Sequence, residues 1–506
     1  MEEHGSDEYH HYSDDYDTDY HVLERVKLYI TSFYQKFHEN KVSEVKTLYY
    51  KEWSQLTKDY YKDVEWPRTE EISSLCNHDE VFLLCYNELS YRHIMVNHEP
   101  QIHHRFESWN NYRELFDMFL QGNEAGALML PAEWLNDMID EFLYQFQDFC
   151  RYKHEIKSLS SEEITLLKEN PNVWKTETVL GYLTSFVQRS SIVELLDNSK
   201  TNSGRMTLVQ SMGYFSLFGL CRLHTLIGDY RLAIKVLEPI DIDDKRAFFT
   251  RVTSCHITLF YYLGFSYLMM KRYYDAINVF SAVLLAYRGT KDKYNSYGDS
   301  QIVSKLDKTR SLTAMAMALS PGARVDQQVK YLIEEKFSSE NSNLMSHDAD
   351  TYANMFFHAC PKFIVPGTPN FDGSANSGQQ TFLLQRKWFL QEVGQQRSLT
   401  TIRSYLKLYT SIPIEKLARF CGMSQEVFKE NLLSLKYAAN QNVHTENSSP
   451  LDSKRVAVND IHFYIVGEMV FIDETRAPQR YSQYFLTHAF KFQQAIDDMS
   501  ELKKKR

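Results

Sequence analysis

The chain has 506 residues, a formal net charge of −10, a hydrophobic share of 43% and a charged share of 24%. That balance excludes a chain-wide attraction to nucleic acid or to an acidic membrane surface, so any contact with RNA has to be local. The length exceeds what one compact core usually takes, and points to two or three folding units or to an elongated helical array. Seven cysteines, Cys76, Cys85, Cys150, Cys221, Cys255, Cys360 and Cys421, are scattered and form no C-x-x-C pair. They read as buried free thiols in a reducing, cytoplasmic setting rather than as a disulfide framework.

Residues 1–20 carry eight carboxylates, no Lys or Arg, and the tyrosines Tyr9, Tyr12, Tyr16 and Tyr20. With almost nothing to bury, they are expected to form a disordered acidic tail, and they lack the apolar segment of a signal peptide. Over residues 21–200 the pattern is one amphipathic helix after another. Val22, Val26, Tyr29, Ile30 and Phe33 make one apolar stripe, and Met138, Phe142, Phe146 and Phe149 another, at three- and four-residue spacings. Pro67, Pro100, Pro131 and Pro171 are expected at helix starts or inter-helix turns.

Over residues 201–360 a second regularity appears. Leu217, Leu220, Cys221, His224, Ala233 and Leu237 occupy the key positions of a tetratricopeptide-type helical hairpin. The same positions recur 43 residues later as Phe260, Leu263, Gly264, Tyr267, Ala276 and Phe280, with the turn Gly228-Asp229-Tyr230 aligned on Lys271-Arg272-Tyr273. Small residues let paired helices approach while aromatic ones fill the groove between them. The long period predicts an extended loop or extra helical turn at Asp241 to Thr250. The apolar run Cys255 to Met270 is too short to span a bilayer and reads as a buried helix. Beyond it, residues 321–350 read as helical fragments interrupted by polar stretches such as Ser338-Ser339-Glu340-Asn341.

Residues 361–380, rich in Pro and Gly, read as a loop and a boundary. After it, one helix is expected through Phe382, Leu383, Trp388, Phe389 and Val393 and another through Ile402, Tyr405, Leu406 and Tyr409. Ile414, Leu417, Ala418 and Cys421 then make one face of a short helix, Gly422 permits a turn, and Ser424 caps a helix that buries Phe428, Leu432 and Leu435. A polar loop from about Gln441 to Ser453 leads to two short strands around Gly467. Ile461, Phe463 and Ile465 alternate on one, and Val470 and Ile472 on the other. A helix-turn-helix followed by a hairpin is a winged helix, placed here at residues 381–480. Residues 481–506 read as a last helix, with Phe485, Phe490, Phe492 and Ile496, and a basic end. The fold class is therefore mainly α, a right-handed TPR-like solenoid followed by a C-terminal winged helix.

A helical-repeat region feeding into a winged helix resembles the PCI family shared by the proteasome lid, the COP9 signalosome and the eukaryotic translation initiation factor three complex. Within it the resemblance is closest to the L-subunit family of the initiation factor. It rests on Tyr91-Arg92-His93-Ile94, Arg105-Phe106-Glu107-Ser108, Asp140-Glu141-Phe142-Leu143-Tyr144-Gln145-Phe146-Gln147, Gly213 to Leu237, Tyr267-Leu268-Met269-Met270, Cys360-Pro361-Lys362-Phe363 and Thr401 to Thr410. The connector Asn341 to Asp350 and the stretch Ser374 to Gln380 depart from it. The resemblance implies a structural subunit that supports recruitment of the small ribosomal subunit and messenger RNA to the preinitiation complex. It further implies pairing with subunit K beside the PCI octamer, through winged-helix and C-terminal helical contacts. Scaffold subunits of the lid or signalosome, and PCI-type RNA or DNA binders, are the alternatives.

No catalytic constellation is present. Gly289-Thr290-Lys291 lacks the upstream glycine of a phosphate loop, and Gly264-Phe265-Ser266-Tyr267-Leu268 lacks the second glycine of a nucleophile elbow. His98, His103 and His104 with Glu99 lack metal-ligand spacing, and Asp241, Asp243 and Asp244 are followed by Arg246 where a calcium loop needs Gly. No cofactor, metal, membrane or small-molecule substrate is expected. The candidate protein-interaction residues are Ile414, Leu417, Phe428, Phe463, Ile465, Val470 and Ile472. Between Arg386 and Lys436 there are nine Lys or Arg against four Glu. Non-specific contact with ribosomal RNA is accordingly assigned to Arg386, Lys387, Lys407, Lys416, Arg419 and the tail Lys503, Lys504, Lys505 and Arg506. Base reading is not expected, because the helix after Ser424 presents only Gln425 and Lys429, offset by Glu426 and Glu430.

Overall fold

A computed structural model describes residues 23–121, 128–198, 206–288, 299–371, 377–438, 440–445, 449–457 and 461–473, and a few helical positions between 485 and 496. The acidic tail and the basic end lie outside the described residues. The chain divides into two compact units, residues 1–134 and 135–506. All the segments expected from residue 135 onward therefore share one unit.

The first unit contains α1 (Glu24–His38), α2 (Val42–Thr47), α3 (Trp53–Tyr60), α4 (Thr69–Ile72), α5 (Glu80–Asn97) and α6 (Ile102–Gln121), and the first residues of α7 (Ala132–His154). Of the expected stripe, Val26, Tyr29, Ile30 and Phe33 are buried on α1, joined by Phe37, while Val22 lies outside the described residues. Pro67, Pro100 and Pro131 stand just before α4, α6 and α7, where a missing N–H costs nothing. At the centre Glu88 is fully buried. It accepts from Arg92, from the Tyr112 hydroxyl at 3.1 Å and from Trp134 Nε1 at 3.2 Å. Three donors satisfy a carboxylate whose burial alone would be costly. Trp134 in turn stacks on Tyr49, centroids 5.0 Å apart.

In the second unit the remainder of α7 presents Met138, Phe142, Phe146 and Phe149 to the core. It is followed by α8 (Ser161–Glu169), α9 (Thr176–Arg189), α10 (Ile192–Asn198), α11 (Leu208–Ile227), α12 (Tyr230–Lys235), α13 (Thr253–Met269) and α14 (Tyr273–Ala286). The two hairpins read from the sequence are α11–α12 and α13–α14. Every key position is buried except His224, which is half-buried. The connector between them closes on a short 3-10 turn, Phe248–Arg251. Gly228 and its counterpart Lys271 both end their helices in the left-handed conformation, at φ 96° and 61°. Arg222 on α11 reaches back to Asp140 on α7 at 2.5 Å. The apolar run Cys255 to Met270 is buried in α13, and among the described residues no helix is long and apolar enough to cross a membrane.

α15 (Asp299–Leu319), α16 (Gln327–Lys336), α17 (Asn341–Met345) and α18 (Ala349–Ala359) complete the repeat region. The first described part of the expected linker, residues 361–371, is fastened rather than free. Ile364 donates its N–H to Leu226 at 3.1 Å and is 2% exposed, and Thr176 donates to the Pro366 carbonyl at 3.1 Å.

The two helices expected next are one, α19 (Gln380–Leu406). Nothing in residues 380–406 breaks it: there is no proline, and the helical Gly394 stands in open space. At 1.5 Å per residue it is about 40 Å long. Its first half packs Phe389 on Phe356, centroids 4.6 Å apart, and its second half gives Leu399, Ile402 and Leu406 to the C-terminal core.

Two predictions follow from this packing. A Cβ at Gly264 would lie inside contact distance of the Phe280 ring. Gly264→Ala should therefore lower stability by about 1–3 kcal/mol, the range for overpacked cores, read as a lower thermal midpoint. Burial pushes the His256 imidazole down to about 4, and lowers His93, His104, His154, His224 and His347 from their ordinary value. The folded chain then binds fewer protons than the unfolded chain between about pH 4 and the ordinary histidine value near 6.5. Stability should fall as pH drops through that window, and His256→Gln should flatten the loss in pH-dependent melts.

A winged helix clamped to the helical repeats

Beyond α19 the chain forms β1 (Ser411–Pro413), α20 (Ile414–Phe420), α21 (Gln425–Ala438), β2 (Asn440–Val443), β3 (Lys454–Ala457), β4 (His462–Val466) and β5 (Met469–Asp473). β1 pairs antiparallel with β5, and β5 with β4, so among the described residues β4 is an edge strand. The turn between α20 and α21 is made by Gly422 at φ 65°, closed by Met423 N–H on the Ala418 carbonyl at 3.0 Å. The wing turns at Gly467, φ 60°. The end of α19, β1, both turn helices and the wing thus enclose one core, the winged helix expected from the sequence.

That core is where the candidate protein-interaction residues sit. Ile414, Leu417, Phe428 and Val470 are fully buried, Phe463 is buried, and Ile465 and Ile472 pack against them. The structure brings the seven together in one core, with Ile465 and Ile472 half-buried at its edge. The side chains that do face outward on the same strands are their opposite-parity neighbours. Tyr464 is 52% and Val466 59% exposed, and Tyr464 stacks on Phe471 across the hairpin with centroids 5.3 Å apart. Strand alternation carried this signal, because exposed and buried positions differ by one residue.

The assigned RNA contacts do not form one patch. Arg386 and Lys387 lie near the start of α19, roughly 30 Å along the helix from Lys407. Arg386 is half-buried, while Lys387, Lys407, Lys416 and Arg419 are exposed. Arg419 pairs with Glu415 at 2.6 Å, and Lys416 lies over the Phe420 ring at 5.8 Å. Lys503 to Arg506 lie outside the described residues. On α21 both outward groups are engaged by the wing tip. Lys429 pairs with Glu468 at 2.9 Å, and Gln425 donates to the same carboxylate. A recognition helix held this way by its own wing has little left to offer base edges.

The expected polar loop is framed by a two-stranded ribbon: β2 takes its first residues, Gln441 to Val443, and β3 follows it. β2 pairs with β3, from Asn440 opposite Ala457 to Val443 opposite Lys454, and the connection folds back onto the repeats. Tyr267 donates to the Pro450 carbonyl at 2.7 Å. Arg272, 4% exposed, donates to the carbonyls of Pro450 at 3.2 Å and Leu451 at 3.1 Å, and binds Asp275 at 2.6 Å. Asp275, 3% exposed, accepts the His444 N–H at 2.9 Å, while burial pushes its carboxyl above the usual range against the pull of Arg272. Gln441 reaches Ser320 at 3.2 Å and accepts from Tyr274 N–H at 3.2 Å. The sequence showed Tyr267 and Arg272 only as members of a helical hairpin. Their bonds run to backbone carbonyls about 180 residues away, which side-chain patterning does not encode.

Comparison with known proteins places this architecture. A family profile described as RNA polymerase I-associated factor PAF67 matches residues 104–492. A protein of Nematostella vectensis named eukaryotic translation initiation factor 3 subunit L is 38% identical over 511 residues, covering 98% of this chain and 97% of the relative. The chain belongs to this L-subunit family. Members from Gallus gallus and Homo sapiens, with the same name, are 39% and 38% identical over 461 residues, covering 88% of this chain and 81% of theirs. In this L-subunit member, the region matched by the family profile takes in the helical repeats, the clamp and the winged helix together.

The clamp gives a prediction. Arg272→Leu leaves Asp275 buried without its cation, a change that costs about 3–5 kcal/mol in buried pairs. The variant should melt earlier and be cut by protease between residues 440 and 457 while the wild type is not.

Proposed function

We propose that the chain is a non-catalytic structural subunit of the eukaryotic translation initiation factor 3 complex. It supports preinitiation complex assembly through protein contacts, in the cytoplasm. The observation that carries this reading is the extent of the likeness to L subunits, nearly end to end, joined to a winged helix whose nucleic-acid face is held by its own wing.

In this reading the repeats and α19 hold the winged helix so that β4 and its outward Tyr464 and Val466 meet a neighbouring subunit. An edge strand offers unpaired backbone groups, and an apolar flank supplies area toward the roughly 800 Å² per partner of a stable contact. Subunit K is the proposed neighbour, beside the PCI octamer. The C-terminal helical contact falls on Phe485, Phe492 and Ile496, which are helical and exposed. The small ribosomal subunit is engaged by the assembled factor. Ribosomal RNA meets this chain at phosphates, through the exposed cations Lys407 and Lys416.

The test is affinity purification of the tagged chain from cells with a mass-spectrometric inventory. Initiation factor subunits and ribosomal proteins are expected, and proteasome or signalosome particles would overturn the reading. The double variant Tyr464→Glu, Val466→Glu changes exposed positions only and should keep its melting midpoint while losing most of the recovered subunit K. Phe463→Glu buries a charge in the winged-helix core and should lose both.

A further inference from the structure

The first turns of α19 point apolar side chains outward. Of the five apolar residues that mark this helix in the sequence, Phe389 and Val393 are buried and Phe382 is half-buried. Leu383, however, is 51% and Trp388 54% exposed, and Leu384, 45% exposed, joins them. Residues three and four apart are neighbours on a helix surface, so Leu383, Leu384, Lys387 and Trp388 form one outward stripe. Beside it, Phe357 of α18 is 61% exposed and meets Phe382 with ring centroids 5.7 Å apart. A full aromatic side chain covers about 150–250 Å², so Trp388 and Phe357 alone leave roughly 200 Å² in solvent. With the two leucines the patch reaches the scale of about 300–600 Å² at which exposed apolar surface is often functional.

The chemistry of the stripe selects its occupant. Bases stack on aromatic faces and gain little from leucine, so an aliphatic patch suits protein better than RNA. The Lys387 side chain makes no hydrogen bond or ion pair among the described residues. Arg386 beside it meets no carboxylate there either, and its Nε is buried without an acceptor. The one carboxylate of α19, Glu392, is already taken by Lys271. The helix therefore presents apolar surface and positive charge with no free negative charge of its own. A second copy of the chain is a poor match, because a two-fold contact sets the same face against itself and brings cations to cations.

We propose that the outward face of α19 docks an amphipathic helix of another protein. The apolar stripe of that helix covers Leu383, Leu384 and Trp388, and carboxylates on its flanks pair with Lys387 and Arg386. Trp388 is the anchor, a residue type that carries much of the energy of such contacts once a partner desolvates it. The surface lies on α18 and α19, whereas the subunit contact proposed above uses β4, so either can fail without the other.

The experiment is fluorescence anisotropy with the full chain and two labelled synthetic peptides of about 20 residues, long enough to hold a helix. Both carry leucine at three- and four-residue spacings on one face; one has glutamate on both flanks, the other lysine. The glutamate peptide should bind saturably and at least about tenfold tighter than the lysine peptide. Lys387→Glu should reverse that preference, and Trp388→Ser should weaken the glutamate peptide at least about tenfold. Both positions are exposed, so both variants should keep the wild-type melting midpoint; if Trp388→Ser does not, Leu384→Ser, read in the same way, decides. Tyr464→Glu with Val466→Glu, on the β4 edge, should leave peptide binding unchanged. No saturable binding, equal binding of the two peptides, or binding that neither Lys387→Glu nor Trp388→Ser alters overturns the proposal. So does self-association of the chain in sedimentation that Trp388→Ser abolishes, which would assign the face to a second copy.

Discussion

The arrangement of the C-terminal half depends on one buried cation. Arg272 sits at the turn between the two helices of the second hairpin, paired with Asp275 and donating to backbone carbonyls that arrive from beyond α21. A buried ion pair is not a strong source of stability by itself, because desolvation offsets much of the attraction. What it supplies here is specificity of position. The Pro450 and Leu451 carbonyls need donors, and Arg272 provides them only if the ribbon lies against α14. Together with the unbroken α19, this gives the winged helix two attachments to the repeats. The helix sets its distance, and the clamp sets its rotation about the helix axis. The faces of the module are thus oriented before any partner arrives.

That orientation bears on protein against nucleic-acid recognition. Winged helices that read DNA keep the second turn helix free for the groove. Here Glu468 at the wing tip engages Lys429 and Gln425, so the wing folds down on the helix it would otherwise flank. Six of the seven thiols are buried, which suits a permanent scaffold more than a reactive surface.

Much of this was legible from the residues. Periodicity located the hairpins, because buried positions of packed helices recur every three or four residues, and Gly422 and Gly467 marked the two turns of the winged helix. The failures have physical causes. α19 reads as two helices because its middle, Gly394 to Ser398, is polar. The helix persists there through its own backbone bonds rather than through an apolar face. The end of β2 reads as loop because Gln441 and Asn442 lack strand propensity, and the tertiary bond between Gln441 and Tyr274 overrides it. The candidate interaction residues were chosen for their apolar alternation. Such alternation reports the face turned toward the core and leaves the outward Tyr464 and Val466 unmarked.

The sheet of the winged helix also imposes an order on synthesis. Ile412 in β1 pairs with Val470 in β5, about sixty residues later. At about 5–20 residues per second, a nascent chain spends several seconds with β1 made and its partner strand not yet translated. During that interval the core that takes Leu399, Ile402 and Leu406 at the end of α19 lacks its central strand, although the repeats beside it can already be packed. A chain halted before β5 would display that apolar stripe on a rigid arm. Quality-control factors that bind exposed leucine and isoleucine would find it there, so β5 also marks a closed winged-helix core.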